Sequence, residues 1–170
     1  MSPAMLPIAK YENDILDLID QSSAVVISGK TGCGKSTQVP QYILRRHPHA
    51  KVVVCQPRRV AATSLAVRVS EELNCKLGKR VGYHIGMESF KEEHCSIVYM
   101  TYGILIQQLL FKENIKYTHI ILDEIHERSL EMDFTFVALK KMINEKYKQK
   151  IPARSGSDLR LNNLLSKRTG

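Results

Sequence analysis

Cysteine is sparse in this chain, and the four present, Cys33, Cys55, Cys75 and Cys95, lie about twenty residues apart. None forms a CxxC pair and no histidine cluster stands at zinc spacing. That excludes the usual structural zinc patterns and suits free thiols in a reducing compartment. No apolar run approaches the ~18 residues that a membrane span needs. The N-terminal stretch MSPAMLPIAKYENDILD lacks the charged start and apolar block of a secretory signal. A soluble protein of the cytoplasm, with the nucleus as the alternative, and no membrane partner is therefore expected. Internal repeats are also lacking. Even the basic excess is missing from most of the chain. Residues 1–139 hold 16 Lys/Arg against 15 Asp/Glu, whereas residues 140–170 hold 9 against 2, so almost all of the formal +8 sits in the tail. A basic tail adds salt-sensitive phosphate affinity or merely solubility, and a nucleic-acid partner has to be argued from motifs.

What the sequence does contain is enough for one core: 170 residues at 44% hydrophobic content. Residues 11–21 set Ile15, Leu16, Leu18 and Ile19 along one side of a predicted helix. Short apolar runs at 24–28 (AVVIS), 51–55 (KVVVC), 96–100 (SIVYM) and 118–122 (THIIL) read as buried strands of a parallel sheet. Predicted helices alternate with them at 59–73, 103–111 and 130–147, and Ala62, Leu65, Ala66, Val69 and Leu73 form an apolar stripe on the first of these. The alternation predicts an α/β fold, a mostly parallel sheet with helices on both faces. From residue 150 the pattern dissolves into Pro, Gly, Ser and Arg. A domain over 1–150 and a basic, disordered tail over 151–170 are expected.

Gly29, Lys30, Thr31, Gly32, Cys33, Gly34, Lys35 and Ser36 match G-x-x-x-x-G-K-[ST] between a predicted strand and a predicted helix, the context that gives the motif meaning. The glycines let backbone N–H groups converge on phosphate oxygens, and the helix start aims its positive dipole end at them. Lys35 would neutralise β and γ phosphates, and Ser36 would offer its hydroxyl to Mg²⁺. Downstream, His119-Ile120-Ile121-Leu122-Asp123-Glu124 is an apolar strand ending in two acids, which places both carboxylates at the carboxyl edge of the sheet, where such folds bind ligands. Asp123 would hold magnesium through its water shell. Glu124 would orient and deprotonate an attacking water, a general-base role that hydrolysis requires and binding does not.

Asp123-Glu124-Ile125-His126 with Glu127-Arg128-Ser129, together with GKTGCGKSTQVPQ, resembles the first RecA-like domain of the DEAH/DExH-box superfamily 2 RNA helicases, over roughly residues 15–141. The resemblance implies a RecA-like P-loop NTPase domain, ATP as the nucleotide with other NTPs admissible, Mg²⁺, and single-stranded RNA as partner. It adds Thr37 to the nucleotide-binding set. Gln56-Pro57-Arg58-Arg59-Val60-Ala61-Ala62 resembles the family's strand-gripping run, so Arg58 and Arg59 would hold RNA phosphates without reading sequence. Arg68 would stack on the nucleotide base. Thr101, in Thr101-Tyr102-Gly103-Ile104-Leu105, would donate its hydroxyl to an RNA phosphate or cap a helix. His126 would sense the γ-phosphate side and pass its state to a neighbouring domain.

The chain departs from the family pattern after Val81-Gly82-Tyr83, where His84-Ile85-Gly86-Met87-Glu88 replaces a segment that supplies an RNA-holding arginine. That run and DEIHERSLEMDF are similar to the spindle-E branch, tudor-domain helicases of small-RNA pathways, which implies small-RNA pathway or ribonucleoprotein partners. A Ser-Ala-Thr strand motif and a second RecA-like domain with arginine fingers are expected after DEIH and are not among these 170 residues. Very slow turnover by this chain alone follows, since one arginine finger contributes ~10³ or more in rate. The alternative expectation is a truncated, non-catalytic helicase fragment that binds nucleotide, RNA or protein partners without productive turnover.

Overall fold

The computed structural model describes residues 6–111, 116–127 and 129–150. A 3₁₀ turn (Pro7–Tyr11) leads into α1 (Glu12–Gln21), followed by α2 (Lys35–Arg46), β1 (Val52–Gln56), α3 (Arg59–Glu72), β2 (Val81–Ile85), β3 (Glu88–Phe90), β4 (Ile97–Thr101), α4 (Tyr102–Leu110), β5 (His119–Leu122) and α5 (Leu130–Lys150). The sheet order is β3-β2-β4-β1-β5. All neighbours are parallel except the β2–β3 hairpin. The expected residues 151–170 tail and Arg128 lie outside the described residues.

Strand alternation divides the interior in two. Val52, Val54, Ile97 and Tyr99 face one side, where α1, α2 and α3 cover them with Ile15, Leu16, Val39, Ile43, Ala62, Ala66 and Val69. Val53, Cys55, Val98 and Met100 face the other, under Tyr102, Ile104 and Leu105 of α4 and Met132 of α5. Burial on both faces is why VVVC and IVYM read as unbroken apolar runs. Small Ala62 and Ala66 let α3 approach the sheet closely, and both are fully buried. Ser129 caps α5, its hydroxyl accepting from Met132 N–H at 3.2 Å.

Two sequence expectations are corrected, and one element is new. Residues 24–28 form no strand: the segment has no ladder partner, and Val26 is 71% exposed. Its apolar residues supply strand propensity but only Ile27 packs against the core, and propensity without a ladder does not make a strand. Leu18 is 51% exposed, because the buried face of α1 follows Ile15, Leu16 and Ile19. Finally, the β2–β3 hairpin was not foreseen. Its two-residue turn starts at Gly86 with φ +49°, and Gly82 in β2 sits where a Cβ would be 2.5 Å from the Phe90 carbonyl.

Candidate nucleotide-binding site

The loop from Gly29 to Ser36 enters α2 through two left-handed glycines, Gly32 at φ +78° and Gly34 at φ +105°. Gly34 is the N-cap of α2, so the helix N–H groups open onto the loop. Lys35 Nζ donates to the carbonyls of Gly29 at 2.7 Å and Lys30 at 3.1 Å, with Cys33 Sγ at 3.6 Å. The ammonium is thus folded over its own loop. Thr37 turns inward, its hydroxyl donating to Gly34 O at 3.3 Å.

Pro40 lies inside α2 and has no N–H for the carbonyl four residues back, that of Ser36. The hydroxyl of Tyr99, fully buried in β4, donates to Ser36 O at 2.8 Å and takes the place of the missing bond. Burial, with the charges of Asp123 and Glu72 adding to it, pushes the Tyr99 phenol far above its ordinary value, so it stays a donor. The loop is covered from the N-terminal side as well: Ile8 N–H donates to Cys33 O at 3.2 Å, and Leu6 and Ile8 pack where a Gly34 Cβ would stand. Sequence reasoning missed this cover; Leu6 and Ile8 flank a proline with no periodicity to mark them.

Asp123 follows β5 and continues its pairing, donating its N–H to Cys55 O at 3.1 Å. Its Oδ2 accepts from Gln56 Nε2 at 2.6 Å and its Oδ1 from the Glu124 N–H at 3.0 Å. Its carbonyl accepts the Tyr102 hydroxyl at 2.6 Å. Glu124 adopts φ +53°, a left-handed conformation that a glutamate holds only under the constraint of its surroundings. His126 Nδ1 stands 3.3 Å from Glu124 Oε2, with its ring largely exposed.

The loop and the two acids meet at a cleft of about 390 Å³, within the usual size for ligand sites. Its lining includes Thr31, Gly32, Gly34, Lys35, Ser36 and Thr37 of the loop and α2, Asp123 and Glu124 after β5, and Gln56, Arg58 and Arg68. Gly29, Lys30, Cys33, His126, Arg59 and Thr101 lie outside its lining. The two adjacent arginines diverge. Arg58 faces the cleft and pairs with Glu127 at 3.0 Å, whereas the Arg59 guanidinium lies over the β2–β3 turn, about 3.0 Å from the Cβ position of Gly86. The strand-to-helix junction turns between them, Arg58 being extended at φ −119° and Arg59 opening α3. Thr101 stands at the N-cap of α4 but makes no side-chain cap bond, so its hydroxyl does not cap the helix as the sequence allows.

Arg68 Nε donates to Glu72 at 3.1 Å, and the same carboxylate accepts Gln38 Nε2 at 2.7 Å and Gln41 Nε2 at 2.8 Å. Burial alone would raise the Glu72 carboxyl, but the donors Gln41, Arg68 and Gln38 outweigh it and hold the group below its ordinary value. A depressed folded value means stability that is present above the unfolded value, about 4.3, and is lost as pH falls through the folded one. Glu72→Gln is therefore expected to cost roughly 1 kcal/mol at neutral pH. It should also flatten the loss of stability below about pH 4.5. Urea melts as a function of pH check both effects.

The sequence profile of the DEAD/DEAH box helicase family matches residues 10–154. The chain is 43% identical over 148 residues to the probable ATP-dependent RNA helicase spindle-E of Anopheles gambiae, covering 84% of this chain and 10% of that protein. It is 43% identical over 143 residues to the ATP-dependent RNA helicase TDRD9 of Homo sapiens, covering 81% and 10%. It is 41% identical over 143 residues to the probable ATP-dependent RNA helicase DHX40 of Pongo abelii, covering 82% and 18%. The chain thus spans about a tenth of the length of the spindle-E and TDRD9 proteins it matches. With a mostly parallel α/β sheet of RecA-like type and the spindle-E resemblance of its motifs, this chain belongs to the DEAD/DEAH box helicase family.

Proposed function

We propose that the chain is the nucleotide-binding domain of a DEAH-type RNA helicase, which binds ATP with Mg²⁺ at the cleft and uses its hydrolysis to unwind RNA or remodel ribonucleoprotein. The observation that carries the reading is the convergence of Lys35, Ser36, Asp123 and Glu124 on one cleft from two segments far apart in the sequence. Mg²⁺ fits the donors. The serine hydroxyl is a hard oxygen ligand, and the aspartate carboxylate is a hard acceptor for the ion's water shell. Magnesium is held in that manner, by one or two protein oxygens completed with substrate phosphates and water. When bound, the ion neutralises charge on the phosphate oxygens.

Lys35 leaves the carbonyls of Gly29 and Lys30 for phosphate oxygens, exchanging neutral acceptors for charged ones. Glu124 accepts the proton of the attacking water, and His126 lies close enough to respond to its charge. Arg68, steadied by Glu72, lies over the nucleotide base. Both arginines of the cleft are engaged by carboxylates of this chain, Arg58 by Glu127 and Arg68 by Glu72. Rapid turnover is proposed to draw a transition-state arginine from a second RecA-like domain, so that this chain alone binds nucleotide while hydrolysing it slowly. Cytoplasm or nucleus suits the four free cysteines, and ribonucleoprotein components are the partners proposed.

The RNA strand is proposed to run past Arg59 and Thr101. Arg59→Ala is expected to weaken binding of a short single-stranded RNA about equally for all sequences and to reduce the slope of log affinity against log salt by about 0.7. Fluorescence anisotropy across a salt series measures it. An unchanged slope and affinity would remove Arg59 from the strand path.

A further inference from the structure

Gln56 is the last residue of β1, the strand between β4 and β5, and it is 1% exposed. It pairs in register with Thr101 on one side, while the bond from Asp123 N–H to Cys55 O brings Asp123 alongside on the other. Its amide donates to Asp123 Oδ2 at 2.6 Å, a short bond between two buried side chains. The other carboxylate oxygen accepts from the Glu124 backbone at 3.0 Å. Both oxygens of Asp123 are therefore oriented, and each keeps a lone pair for a further partner.

The donor's chemistry matters as much as its position. A lysine or arginine here would orient the carboxylate but cancel the charge that attracts a dication. A neutral amide fixes the rotamer and leaves the charge intact, and burial strengthens the bond. Pro57 follows directly and biases the Gln56 backbone to the extended conformation of the strand end, which fixes the point from which the side chain departs. We infer that Gln56 is a positioning residue that holds the Asp123 carboxylate in the orientation that receives magnesium. The inference rests on the proposal that Asp123 holds the ion.

The test is a Mg²⁺ titration of fluorescent ATP-analogue binding by the whole chain, with affinity also measured in EDTA. Gln56→Met keeps length and volume but removes the donor. It is expected to raise the Mg²⁺ midpoint about 10-fold, as loss of an outer partner of a metal ligand does. Its metal-free affinity should stay within about twofold of wild type, since the phosphate loop is untouched. Asp123→Asn should raise the midpoint more, and adding Gln56→Met to it should do nothing further, because both act through one carboxylate. An equal loss with and without metal would show Gln56 to be merely structural and overturn the inference. If Asp123→Asn moves the midpoint and Gln56→Met does not, the inference alone fails. If Asp123→Asn leaves the midpoint where it was, the assignment of metal to Asp123 fails as well. Should Gln56→Met not fold, Gln56→Asn serves in its place, retracting the amide by one methylene with the same expected direction.

Discussion

Lys35→Ala is expected to reduce nucleotide affinity at least about 100-fold, because the ammonium forms more than one charge-assisted bond to phosphate and each contributes ~1.5–3 kcal/mol. In the folded chain its partners are carbonyls of its own loop. Those carbonyls can turn to water when the side chain is gone, so the melting temperature should move little. Binding of a fluorescent ATP analogue and a thermal melt on the same preparation separate the two effects. Retained affinity would mean that the loop does not hold the phosphates.

Gly34→Ala should damage the fold itself. A Cβ at this position would stand 3.0 Å from Leu6 Cδ1 and from Ile8 Cγ2, and 3.3 Å from Gln38 Cγ, on a backbone at φ +105°. Overpacking costs ~1–3 kcal/mol and the forced backbone a similar amount, so a loss of roughly 3 kcal/mol is expected. For a chain of this size that lowers the melting temperature by about 10 °C. Gly32→Ala is the control: at φ +78° it carries the backbone strain, but nothing lies within 4 Å of its Cβ position. It should lose only ~1–2 kcal/mol. Equal melts for the two variants would contradict the packing of Leu6 and Ile8 over the loop.

The contrast between these glycines shows where sequence reasoning stops. The loop 29–36 and the pair Asp123–Glu124 were legible because their chemistry demands fixed residue types at fixed spacing, and an apolar strand ending in acids places them at one sheet edge. The two-faced strands 52–56 and 97–101 were legible from their unbroken apolar runs. Burial on both faces also hid something: Tyr99 looked like one more core residue, yet its hydroxyl replaces the bond that Pro40 cannot make to Ser36. In sequence Gln56 belongs with the arginines that follow it, whereas its amide faces Asp123, 67 residues away. Glu72 carried no signal, since three donors from two helices meet on it only in the folded chain. Arg58 and Arg59 are neighbours in sequence, and only the start of α3 turns one toward the cleft and the other over the β2–β3 turn. Residues 24–28 failed in the opposite sense, having strand composition without a ladder to join.

The family places this chain among DEAD/DEAH box helicases, while the use of its cleft for ATP and magnesium is the central proposal. The most direct measurement is a crystal structure of the chain with a non-hydrolysable ATP analogue and Mg²⁺. The expected map has phosphates in the loop 29–36, Lys35 Nζ drawn off the Gly29 and Lys30 carbonyls onto them, and the ion beside Ser36 with Asp123 facing its water shell. Nucleotide bound elsewhere, or Lys35 still on those carbonyls beside a phosphate-free loop, would contradict it.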